Sequence, residues 1–154
     1  MLAEADQQTP IIPFFYTPFF CFSAFFILIL LQTFIEYRTE KYYRLVDIFL
    51  FFAAGVAGCI IFFLSFLSVH PCTFPNISLL WLHPLHLIGV ILFSVKKFKK
   101  PAYWYHFINF AIIIIMSVAW IILPQHVNIA FIPLIACLWL RSGWALLRKK
   151  NTTE

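Results

Sequence analysis

Five apolar runs, at 14–35, 45–67, 79–95, 102–123 and 129–147, each continue for 17 to 23 residues with no charge at the centre. A bilayer core of about 30 Å takes roughly 20 helical residues at 1.5 Å each, so each run is long enough to span, the third and fifth with little tilt. The prediction is an all-α integral membrane protein, a bundle of five transmembrane helices. Composition excludes the alternative of a water-soluble domain. Hydrophobic residues make up 63% and charged residues 11% of the chain, with a mean hydropathy of +0.92. Soluble domains carry about twice that share of charge.

The segments between the runs alternate in character. Residues 36–44, 96–100 and 148–150 hold ten of the eleven basic residues. The other segments, 68–78 and 124–128, and the stretch before Phe14 hold none. The positive-inside rule makes the basic face cytoplasmic, so the N-terminus is expected outside and the C-terminus inside. Tyr42, Tyr43, Tyr103, Trp104, Tyr105 and Trp144 flank the inner ends, and Trp81 and Trp120 the outer ends, as interfacial aromatics do. The eleventh basic residue, Arg141, lies in the later half of the fifth run, from which it can snorkel to the basic face or pair within the bundle. The net charge of +5 is thus a topological signal and a set of headgroup contacts, and nucleic acid is not an expected partner.

Residues 1–13 are acidic, lack a basic n-region and enter the first run without a small-residue cleavage site, which is unlike a signal peptide. They read as an extracytoplasmic linker, followed by the transmembrane domain at 14–147 and a cytoplasmic tail at 148–154. An outward N-terminus implies that something upstream, or a separately encoded partner, was translocated.

Polar residues other than Lys and Arg gather on the outer face. Residues 68–78 read SVHPCTFPNIS and continue into Leu79-Leu-Trp-Leu-His-Pro-Leu-His86; residues 123–128 read LPQHVN. His70, Asn76, Trp81, His83, His86, Gln125, His126 and Asn128 form the candidate polar pocket, a place for a lipid headgroup to enter. The competing reading is structural: Asn76 or Ser78 caps the third helix, Asn128 caps the fifth, and the histidines are interfacial. No metal site is expected, since Pro84 separates His83 from His86 and no carboxylate lies nearby in the sequence. Haem is disfavoured because His86 and His106 are expected to differ in depth by roughly 10–15 Å at 1.5 Å per residue. Cys72 beside His70 is not read as a nucleophile and base, and the four cysteines suggest no disulfide framework. The chain shows no hydrolase, metalloprotease or nucleotide-binding motif, and no carboxylate at mid-membrane. Gly55 and Gly58, with Ala53, Ala54 and Ala57, form a small-residue patch that marks close helix packing.

One ordered set of motifs runs through almost the whole chain: His70-Pro-Cys-Thr-Phe-Pro-Asn76, Leu80-Trp-Leu-His-Pro-Leu-His86, Tyr105-His-Phe-Ile-Asn109, Leu123-Pro-Gln-His-Val-Asn128, Pro133-Leu134 and Arg141-Ser142. It resembles the C-terminal five-helix membrane domain of Lnb-type bacterial lipoprotein N-acyltransferases. The resemblance implies an extracytoplasmic papain-like domain that carries a Cys/His catalytic pair and precedes the membrane domain. Those catalytic residues have no counterpart in this chain. The implied role is to anchor that domain in the bacterial cytoplasmic membrane and to present lipid substrate, with membrane lipids, the catalytic domain and a lipoprotein as partners. No cofactor and no catalytic residue is assigned to the chain itself. The alternative is a stand-alone structural or binding membrane protein, such as an assembly partner or a haem-bearing redox anchor.

Overall fold

The computed structural model describes residues 13–67, 77–122 and 128–151. The described residues are mostly helical, with no strand among them. The five helices are α1 (Pro18–Thr39), α2 (Arg44–Phe66), α3 (His86–Ser94), α4 (Lys99–Ile122) and α5 (Ile132–Asn151). Short 3-10 turns precede α1, α3, α4 and α5. Four segments, Pro18–Thr39, Arg44–Phe66, Lys96–Trp120 and Ile129–Arg148, are helices long and apolar enough to cross a membrane. Large apolar side chains such as Phe49, Phe63, Ile115 and Leu147 project outward, as they must where the solvent is hydrocarbon.

Local chemistry sets the helix ends. Thr17 is the N-cap of α1, accepting from the Phe20 amide at 3.3 Å while its hydroxyl donates to the Phe14 carbonyl at 2.7 Å; Pro18 fills the first helical position. At the other end α1 continues four residues past the predicted boundary and stops at Glu40, in the left-handed region at φ 56°. Glu36 is therefore a helical residue facing the bundle and not part of a connecting loop, which shrinks to residues 40–43. Asn128 caps the turn that leads into α5 by accepting from the Ala130 amide at 2.9 Å, as the structural reading expected.

The third span departs from expectation. Residues 79–95 do not form one helix: a 3-10 turn over Ile77–Leu80 is followed by irregular backbone, and α3 begins only at His86. Nine helical residues rise about 14 Å, half a bilayer core. Pro84 explains the break. It has no amide to donate and biases His83 away from helical backbone. Irregular backbone at this depth is tolerated only when protein covers it, and here Trp81 and Leu82 are buried. Turn hydrogen bonds carry part of the load, from the Leu82 amide to the Ser78 carbonyl at 2.8 Å and from the Leu87 amide to the Pro84 carbonyl at 3.0 Å.

Helix α2 is shaped to receive this segment. A Cβ on Gly58 would lie 2.6–2.9 Å from backbone atoms of His83, and one on Gly55 would meet Leu87 at 2.8 Å. The small-residue patch thus serves close packing, against the broken segment and α3. In the rest of the bundle α1 packs on α5, α4 on α5, and α3 on α4. Phe51, Ile113, Met116, Cys137 and Leu138 are, with Trp81, the most deeply buried apolar side chains among the described residues.

Candidate functional site

Of the eight pocket residues read from the sequence, His70, Asn76, Gln125 and His126 lie outside the described residues. Asn128 serves as the cap described above. The other three, Trp81, His83 and His86, are brought together by the broken third span. The His83 and His86 rings stack with centroids 3.9 Å apart. His86 is fully buried, with Nε2 2.8 Å from the Trp81 carbonyl and Nδ1 2.6 Å from the Tyr105 hydroxyl. A carbonyl can only accept, so Nε2 carries the hydrogen; in the neutral ring Nδ1 then accepts from Tyr105. The imidazole replaces a helical hydrogen bond that the break removes, and it ties the irregular segment to α4. The indole Nε1 of Trp81 and Nδ1 of His83 are buried without a partner among the described residues.

His86 and His106 are less separated in depth than their places in the sequence suggested. Helix α3 begins at His86 and α4 begins three residues earlier than predicted, which puts both about 10–14 Å from the basic end at 1.5 Å per residue. Both rings pack edge-on against Phe51, at 5.3 and 5.6 Å. With both nitrogens of His86 engaged, the ring is a structural tie. Among the described residues no three His, Cys, Asp or Glu side chains gather as metal ligands would.

A second polar cluster, not foreseen, lies toward the basic end. Arg141 on α5 pairs through Nε with Asp47 of α2 at 2.6 Å and through Nη1 with Glu36 of α1 at 3.0 Å, and all three side chains have no exposed surface. Nη1 also donates to the Thr33 hydroxyl at 3.1 Å. Trp144 Nε1 and the Tyr43 amide donate to Glu36, at 2.8 and 3.2 Å. The Tyr42 hydroxyl donates to Asp47. Burial, and next the Asp47 carboxylate, hold the Tyr42 phenol well above its ordinary range, so it remains a donor. Arg141 therefore pairs within the bundle and joins three helices; it does not snorkel. Nearby, Asn109 of α4 donates to Ser142 of α5 at 2.8 Å.

Two cavities accompany these clusters. The larger, about 470 Å3, opens between α2, α3, α4 and α5 at the basic end and is lined by Arg44, Lys99, Lys100, Arg148, Tyr42 and His106 among others. The smaller, about 220 Å3, lies between α4 and α5 and is lined by apolar side chains such as Ile113, Met116 and Trp139, with the Ser117 hydroxyl.

The sequence signal for the charge cluster was the lone arginine in an apolar run, since an intramembrane cation must find a partner. Its partners could not be chosen from sequence because each sits near the end of its own run. No curated protein and no solved structure matches this chain. Residues 9–152 match the family model described as the Lnb transmembrane domain. The chain, a multi-pass helical bundle matched over almost its whole length, belongs to the Lnb transmembrane domain family.

Proposed function

We propose that this chain is the membrane part of a bacterial lipoprotein N-acyltransferase system. It anchors an extracytoplasmic Cys/His catalytic domain, supplied upstream or by a partner chain, in the cytoplasmic membrane and presents lipid at the outer face. The observation that carries the reading is the family match over residues 9–152. The segregation of Lys and Arg supports an outward N-terminus, the side on which such a catalytic domain would stand. In this reading the chain supplies no nucleophile. Its contribution is to hold acyl chains in the bilayer and a headgroup among His70, Asn76, Gln125 and His126, while Trp81, His83 and His86 brace the break in the third span.

The test is lipoprotein N-acylation, read as blocked N-terminal amines by mass spectrometry, in cells that depend on this system. His70→Ala, Asn76→Ala and His126→Ala are expected to lower N-acylation several-fold at unchanged abundance. His86→Ala is expected to lower abundance itself, since it removes both ties of a buried ring. Full N-acylation after the bundle is replaced by an unrelated single-helix anchor would overturn lipid presentation. Failure of any catalytic partner to depend on the chain would overturn the whole reading.

A further inference from the structure

The cavity at the basic end plays no part in the function proposed above, and its lining is chemically specific. Arg44, Lys99, Lys100 and Arg148 stand around it, and no carboxylate is among its described lining residues. Glu36 and Asp47, the buried carboxylates of α1 and α2, are both paired with Arg141, and Arg148 lies over the Tyr42 ring at 4.7 Å. Between the cations the wall is apolar, from Leu92, Phe93, Val95 and Ala102. His106 also lines the cavity. It is 3% exposed, its ring is stacked on Phe93 at 4.4 Å, and its Nδ1 has no hydrogen-bond partner among the described residues.

We infer that this cavity binds the glycerophosphate headgroup of an anionic phospholipid from the leaflet at the basic end. The phosphate diester takes the cations, which offer charge-assisted hydrogen bonds. The apolar wall takes the glycerol backbone and the first acyl methylenes. A free phosphate ion satisfies the cations but gains nothing from the apolar wall. That difference separates the two sources of the same phosphate chemistry. The inference rests on this cavity alone and stands whether or not the chain serves lipoprotein N-acylation.

The experiment titrates the purified full chain in detergent with phosphatidylglycerol or phosphatidylcholine and counts retained lipid by native mass spectrometry. The expected result is a phosphatidylglycerol adduct favoured over phosphatidylcholine and not displaced by millimolar inorganic phosphate or glycerol 3-phosphate. The double substitution Lys99→Gln with Lys100→Gln is expected to weaken it roughly tenfold or more, the effect of two cations close to an anionic headgroup. Lys96→Gln with Lys97→Gln removes the same charge outside the cavity and is expected to change binding less than about twofold. Should the double variant fail to fold, Lys100→Gln alone, at an exposed position, gives the same reading. Equal loss in both pairs, absence of preference for phosphatidylglycerol, or displacement by inorganic phosphate would each overturn the inference.

Discussion

Arg141→Met tests whether the buried charge cluster holds the bundle together. Methionine keeps much of the volume and removes the charge. In the native protein the guanidinium serves two carboxylates and a hydroxyl, with contacts of 2.6, 3.0 and 3.1 Å to side chains on α2 and α1. Without it, Glu36 still has the Trp144 indole and the Tyr43 amide, and Asp47 still has the Tyr42 hydroxyl. What they lose is the countercharge. Removing one partner from a buried ion pair costs about 3–5 kcal/mol, because a desolvated charge is left behind. For a chain of this size that corresponds to a fall in melting temperature on the order of 10 °C or more. The assay is thermal unfolding in detergent, followed by size-exclusion chromatography of the surviving fold. The triple variant Arg141→Met, Glu36→Gln, Asp47→Asn is expected to recover part of the loss, since no buried charge is left unpaired, while the one amide oxygen at position 36 keeps only one of the two donors, the Tyr43 amide or the Trp144 indole, that Glu36 accepts on separate oxygens. Arg141→Lys should fall between, because one ammonium cannot reproduce the fork. A melting temperature for Arg141→Met within about 2 °C of wild type would refute the argument, as would a triple variant no better than the single.

Gly58→Ala is expected to destabilise the bundle by about 1–3 kcal/mol, since the new methyl meets His83 backbone and not a side chain that can turn away; the same melts measure it. Tyr42→Phe is expected to cost about 1.5–3 kcal/mol at neutral pH by removing a donor to a charged acceptor. Because Tyr42 is held above its ordinary value of 10.0, its stabilising effect is complete below about pH 10 and is lost above it, where the unfolded phenol ionises and the folded one must stay neutral. A pH series should therefore show a steeper alkaline loss in the wild type than in Tyr42→Phe, and identical slopes would remove Tyr42 from the account.

Four of the five spans were legible because a long helix in lipid needs only length and hydropathy, and α1, α2, α4 and α5 have both. Hydropathy fails at the third run because it weighs side chains while the break is a backbone event. Residues 79–95 are apolar enough, yet Pro84 withdraws an amide and the chain folds over Gly58 and Gly55 of α2. Proline between two histidines, facing a glycine pair on the preceding span, was the available signal. The charge cluster was hidden for a different reason. Glu36 looked like the start of a polar loop, and only the extension of α1 to Thr39 turns it into a partner for a residue more than a hundred positions later.

The histidines show where residue type and residue role part. His86 was grouped with His70, Asn76 and His126 because all are polar groups near one face of an apolar chain. Its surroundings give it another task. A break in a membrane helix leaves carbonyls that lipid cannot satisfy. His86 meets one of them, the Trp81 carbonyl, while its other nitrogen is held by Tyr105 on α4. A side chain with both hydrogen-bonding atoms committed inside the bundle has nothing left to offer a substrate. Loss of activity in a His86 variant would therefore report on the break and on packing. The polar residues whose substitution can separate lipid handling from folding are those on the connecting segments, His70, Asn76, Gln125 and His126, and it is there that the proposed function stands or falls.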